Sequence, residues 1–157
     1  MDISGVREFD APRVAVWSAI ADPAKMASLM PGVSNLAVID DRHWHATVRV
    51  PVGLGGLKMK VKFERVAERP LEYAVLSAKG NGVGAIVHMT TSFTLSGEGV
   101  RTSMSWEATV RIGGPLGSMG QRVLQPQITR QIEGVLNALE THVSQDPAQE
   151  PLSGPVA

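Results

Sequence analysis

The feature that most constrains this chain is a hydrophobic period of two residues, repeated from about Asn35 to Gly113. In Leu57, Met59, Val61 and Phe63 every second position is apolar, with Lys58, Lys60, Lys62 and Glu64 between them. Successive strand side chains point to opposite faces, so this run reads as a strand with one buried and one wet face. Trp44, Ala46, Val48 and Val50 alternate in the same way with His43, His45, Thr47 and Arg49. Ala85, Val87, Met89, Thr91, Phe93 and Leu95 repeat the pattern, as do Thr102, Met104, Trp106, Ala108, Val110 and Ile112. Turn chemistry separates the runs: Gly53-Leu54-Gly55-Gly56, Arg69-Pro70, Gly80-Asn81-Gly82 and Gly97-Glu98-Gly99 fall at hairpin distance. The stretch is therefore expected to be a meander of about six consecutive antiparallel strands.

The flanks change period. Residues 3–10 alternate weakly, as a first strand, and end at Ala11-Pro12, where a proline suits the first turn of a helix. Val14, Trp17 and Ala21 recur at helical spacing, widened by Val16 and Ile20; Asp22-Pro23 then stops this helix and caps a second, from about Ala24 to Leu29, that ends at Met30-Pro31-Gly32. After Gly113-Gly114-Pro115, the stripe Leu116, Met119, Val123, Ile128, Ile132, Val135, Leu136, Leu139 and Val143 predicts one long amphipathic helix. Pro126 inside it predicts a kink near Gln121–Leu124. The tail after Ser144, QDPAQEPLSGPVA, is polar and proline-rich and is expected to be disordered. Residues 1–144 are thus expected to form one α+β domain, a curved antiparallel sheet of about seven strands wrapped around a long C-terminal helix, with two short helices after the first strand.

Composition closes off several functions. Lys plus Arg (15) equals Asp plus Glu (15), a formal net charge of zero, whereas a protein gripping nucleic acid through phosphates normally carries a cationic excess. With no cysteine, there is no disulfide framework, thiolate metal site or cysteine nucleophile. The N-terminus MDISGVREFDAPR has no apolar core of a signal peptide, and no apolar run approaches the ~20 residues of a membrane span, so the expected compartment is the cytoplasm. His43 and His45 share a strand face, but no third or fourth metal ligand has matching spacing. The basic ribbon Lys58, Lys60 and Lys62 reads as a solvated face that blunts edge pairing, or as a docking strip for an acidic partner or anionic headgroups.

The inward-facing set is mostly Val, Ala, Met and Leu, with Trp106, Phe63 and Trp44 as bulky members; it contains no Asp, Glu, His, Lys or Arg. Glu64, Glu107, His43 and His45 fall on the outer face, which leaves no general acid or base for catalysis inside. Seven methionines equal the seven aromatics (three Trp, three Phe, one Tyr), and methionine suits surfaces that accept variable apolar shapes. A curved sheet and helix lined by such residues leave two possibilities open, a filled core or a pocket in the usual ~300–1,000 Å³ range.

Gly5…Phe9-x-Ala11-Pro12, Val16-Trp17-x-x-Ile20-x-Asp22-Pro23 and Met30-Pro31-Gly32 together resemble the CoxG family of carbon monoxide dehydrogenase proteins. Val50-Pro51-Val52-Gly53, Gly80-Asn81-Gly82 and Gly113-Gly114-Pro115-Leu116-Gly117 extend the likeness over roughly residues 2–143. The resemblance implies a helix-grip fold (START/Bet v 1-like), shared with polyketide cyclases. It implies a non-catalytic accessory role beside a CO dehydrogenase-type molybdenum hydroxylase, binding a hydrophobic molecule, a quinone among the candidates, at the inner face of the membrane. Longer members carry a C-terminal linker to a membrane-binding segment; here a short polar tail follows, and direct anchoring is not expected. The expected ligand-binding residues are Met26, Leu29, Met30, Val48, Val50, Met59, Val61, Met89, Met104, Trp106, Leu116, Met119 and Val123. Gly113, Gly114, Gly117 and Gly120 would let the start of the last helix act as a lid. A cyclase-like enzyme and a ligand-free interaction adaptor are the alternative readings.

Overall fold

A computed structural model describes residues 1–50 and 56–144. The elements run β1 (Asp2–Phe9), α1 (Arg13–Ala21), α2 (Pro23–Leu29), β2 (Val33–Val38), β3 (His43–Val50), β4 (Leu57–Arg69), β5 (Tyr73–Gly82), β6 (Ala85–Ser96), β7 (Thr102–Gly113), α3 (Gly114–Gly117) and α4 (Gln121–Ser144). All seven strands form one sheet in the order β1-β7-β6-β5-β4-β3-β2. Every pairing is antiparallel. The meander expected from the alternation is therefore present, and β1 closes it by pairing with β7. The predicted tail after Ser144 and most of the Gly53–Gly56 turn lie outside the described residues.

Local chemistry sets the helix boundaries. The Asp22 carboxylate accepts hydrogen bonds from Ala24 N (2.9 Å) and Lys25 N (3.4 Å), and Pro23 opens α2 where its missing N–H costs nothing. The buried face of α1 is Ala15, Val16, Ala19 and Ile20, while Val14 is exposed. The apolar stripe is rotated by one position from that drawn through Val14, because small alanines let α1 sit close against the sheet. On the sheet, the Thr102 hydroxyl, fully buried, donates to the Ala11 carbonyl at 2.7 Å and ties β7 to the start of α1.

Two expectations are corrected. Gly80-Asn81-Gly82 is not a turn: all three residues are in β5, and the chain reverses at Val83-Gly84, where Gly84 takes φ +81°. The last helix is not continuous from Leu116. It breaks after α3, with Gly120 at φ +85°, a left-handed conformation that ends one helix and lets the next start in a new direction. Pro126 sits inside α4, and the break falls upstream of the kink expected from it.

Candidate functional site

The core has two parts of different quality. One cluster joins α1, β1, β7 and the C-terminal half of α4 through Phe9, Val16, Met104, Leu139 and Val143, all at most 1% exposed. The second, Val48, Met59, Val61 and Ala85, is bordered by residues that are only half-buried, among them Val50, Leu57, Phe63, Val87 and Leu116. The N-terminal half of α4 passes over this second cluster without filling the space beneath.

That space is a cavity of about 170 Å³ bounded by β3–β7, Met30, Leu116, and Leu124, Gln127, Ile128 and Gln131 of α4. A second chamber of about 130 Å³ adjoins it, reaching Met26, Thr91, Phe93, Trp106, Ile132 and Leu136. Met30, Phe63, Ala78 and Met89 line both and form the partition. Each chamber is smaller than the range expected from the sequence and is comparable to the ~150 Å³ voids that accept a benzene ring. Two of the four partition residues are methionines, whose three rotatable bonds let them move aside.

The room has a cause on the central strand. The inward positions of β5 read Ala74, Leu76, Ala78 and Gly80, facing Phe93, Thr91, Met89 and Val87 of β6. A Cβ at Gly80 would come within 3.0 Å of Met59 Cε and 3.3 Å of Val61 Cγ2, so those side chains lean over a bare backbone.

No Asp, Glu, His, Lys or Arg lines either chamber, and the larger exposes only carbon and sulfur on its wall. The Gln131 amide, which could have faced inward, donates instead to the Pro31 carbonyl at 3.0 Å and fastens α4 to the end of α2. Glu64 and Glu107 are exposed on the outer face. His43 is also there, with Nδ1 2.9 Å from Asp40 Oδ1 and Nε2 3.8 Å from Glu64. The Arg42 N–H bonded to Asp40, with His43 beside it, holds that carboxyl below its usual range.

Of the residues singled out in the sequence, Met30, Val48, Val50, Met59, Val61, Met89 and Leu116 line the larger chamber. Met26, Met30, Met89 and Trp106 line the smaller. Four others are elsewhere. Met104 is fully buried in the filled cluster, where β7 lies between Arg7 of β1 and Leu95 of β6. Leu29 packs against that same cluster. Met119 and Val123 are each 46% exposed, because the break at Gly120 re-phases α4 and turns Leu124 inward. Leu57, Phe63, Ala78, Gly80, Val110, Ile112, Gln127 and Gln131 also line the larger chamber and were not singled out. The alternation already placed four of these, Leu57, Phe63, Val110 and Ile112, on the inner face; small residues on β5 would have pointed to Ala78 and Gly80.

A curved seven-stranded antiparallel sheet gripping a C-terminal helix, with an apolar cavity between them, defines a helix-grip protein of the START type. The model of one family, the carbon monoxide dehydrogenase component CoxG, matches residues 5–144, and the chain belongs to that family. A conserved protein from Geobacillus kaustophilus is similar in structure at TM-score 0.86, with 19% identity over 92% of this chain and 95% of that one. A START superfamily protein from Mycobacterium smegmatis follows at 0.69 and 14% identity (92% and 97% covered). The Zhui aromatase/cyclase from Streptomyces sp. R1128 aligns at 0.68 and 14% identity (92% and 93%). No curated protein matches the chain.

Proposed function

We propose that this protein binds a hydrophobic small molecule, with a quinone ring as the favoured cargo, and serves without catalysis as an accessory carrier for a CO dehydrogenase-type molybdenum hydroxylase. Residues 1–144 act as one ligand-binding unit, working in the cytoplasm at the inner face of the membrane. The observation that carries this reading is the cavity wall, which offers carbon and sulfur contacts and no ionisable group. Such a wall binds by removing apolar area from water, at ~25 cal/mol per Å², and holds no acid or base to move a proton. Two adjoining ring-sized chambers with a methionine partition suit a flat ring followed by an apolar substituent. The seven residues from Met30 to Leu116 around the larger chamber, with Met26 and Trp106 around the smaller, are the proposed contacts. The family name supports the partner enzyme. The cyclase-like alternative shares the fold with the Zhui aromatase/cyclase but lacks an inward ionisable side chain, and a pure adaptor leaves the cavity without a role.

The test is native mass spectrometry of the protein purified from its own host, with organic extraction of what co-purifies, alongside quinone titration followed by tryptophan fluorescence. A stoichiometric apolar molecule, with quinone binding lost in Met59→Trp, is the expected result. An empty protein that ignores added quinone, with Met59→Trp changing nothing, would sink the carrier reading and favour the adaptor.

A further inference from the structure

Zero net charge hides a strong segregation. Strand register aligns His45 of β3 with Lys62 of β4, Lys62 with Lys79 of β5, Lys79 with His88 of β6, and His88 with Arg111 of β7. All five are exposed. At about 4.8 Å between strands, this basic row spans about 19 Å across the outer face of the sheet. Toward the β5–β6 turn, the next positions add Lys60, Arg49 and Lys58 and no carboxylate. The nearest acids, Glu64 and Asp2, are one row further back. Glu68, Glu72, Glu98 and Asp10 lie near the opposite strand ends. Among the described residues, Lys58, Lys60, Lys62, Lys79 and Arg111 have no ion-pair partner.

The end of this basic face is apolar. Val83, at the β5–β6 turn, is 92% exposed, and Ile86 on the same outer face is 60% exposed. The turn also touches the cavity closure: Leu116 N donates to Gly84 O at 2.8 Å, and Leu116 lines the larger chamber. A cationic face ending in exposed aliphatic side chains beside a cavity wall suits one partner best. We propose that this face docks on an anionic lipid bilayer, with Lys58, Lys60, Lys62, Lys79 and Arg111 over the headgroups and Val83 and Ile86 at the acyl boundary. Headgroup charge attracts each cation by about 1 kcal/mol, and apolar tips add burial at the interface. An acidic protein would match the charge but leave the apolar tip without a role. Single-stranded nucleic acid would need stacking rings. The basic row has none, since Trp44, Phe63, Phe93 and Trp106 all occupy inward positions of their strands. The inference stands independently of the cargo, because the charge row and the exposed tip are there whether the cavity is filled or empty.

The test is co-sedimentation of the full chain with mixed phosphatidylglycerol–phosphatidylcholine vesicles and with pure phosphatidylcholine vesicles. The expected result is binding only to the anionic vesicles, weakened by added salt. The triple variant Lys62→Gln, Lys79→Gln, Arg111→Gln should weaken it by about a hundredfold, at about fivefold per charge. Val83→Asp should weaken binding on its own, and the surface positions of all four changes keep the fold intact, as thermal melts will register. Equal binding to neutral vesicles overturns the proposal, as does an unchanged triple variant. Failure on anionic vesicles combined with capture by poly-L-glutamate assigns the face to an acidic protein instead; capture by an oligonucleotide assigns it to nucleic acid.

Discussion

The two halves of the interior are built from the same residue types and reach opposite outcomes. Under the C-terminal half of α4, Leu136, Leu139 and Val143 close against Phe9, Val16 and Met104, with exposures of 5% or less. Arg7 reinforces this half from β1, bonding Glu133 (3.0 Å), Asn137 (3.0 Å) and Glu140 (3.3 Å) along one face of the helix. Under the N-terminal half, the same helix crosses β4 and β5 with a gap. Its described tethers there are the Gln131–Pro31 bond and the contact of Pro31 with Gly134, where an added Cβ would stand 3.2 Å from Pro31 Cγ. The difference teaches that α4 is clamped at one end and left spanning a space at the other. A filled cluster supplies the stability that an unfilled one forgoes.

Three substitutions or conditions sharpen this contrast. The largest effect is expected from Leu139→Ala in the clamped half, which is 1% exposed. Truncating a buried leucine there should cost about 3 kcal/mol, within the ~2–5 range for such cavities, read from urea unfolding. A loss below about 1 kcal/mol would mean that the two halves do not differ as described. In the open half, Ala78→Leu grows into the partition between the chambers. Filling a void there should leave stability within about 1 kcal/mol of the parent or raise it, while binding of an apolar probe falls at least tenfold. Destabilisation by several kcal/mol would show that the space is not available to a side chain. The smallest effect concerns neither half but the β2–β3 connection. The Asp40 carboxyl is held below its usual range by the Arg42 N–H and His43. Its stabilisation is therefore present above about pH 4, and is lost as pH falls through the lowered folded value. NMR titration should show Asp40 protonating below an ordinary aspartate, with the His43 resonances following.

Much of this fold could be read directly. The alternation in β3, β4, β6 and β7 needs only the pleat, which sends every second residue inward, and all four strands are present in the expected register of faces. The Asp22-Pro23 signal is equally local, since a carboxylate two residues before a free N–H caps a helix wherever it occurs. Gly80-Asn81-Gly82 misled for a local reason too. Glycine serves both turns and close approaches of side chains to backbone, and here Met59 and Val61 occupy the space a side chain would need. Val14 and Ala15 were exchanged because α1 selects its buried face by how closely it approaches the sheet, which helical spacing alone does not express.

The candidate site divides along the same line. Membership of the inner face was legible for most of its wall, because it depends on strand parity. Which inner residues border empty space was not: Met104 and Met59 have the same parity, but one lies under a clamped helix and the other under a spanning one. The position of α4 and the break at Gly120 decide that, and so set Leu124 inward and Val123 outward. The basic row follows the same rule. Each of Lys62, Lys79, His88 and Arg111 is an ordinary outward residue in its own strand, and only the pairing register brings them into line. Sequence by itself determined the faces, since side-chain direction is a property of neighbouring peptide units. Tertiary structure alone decided where space remains and where charge accumulates, since both depend on distances between elements far apart in the chain.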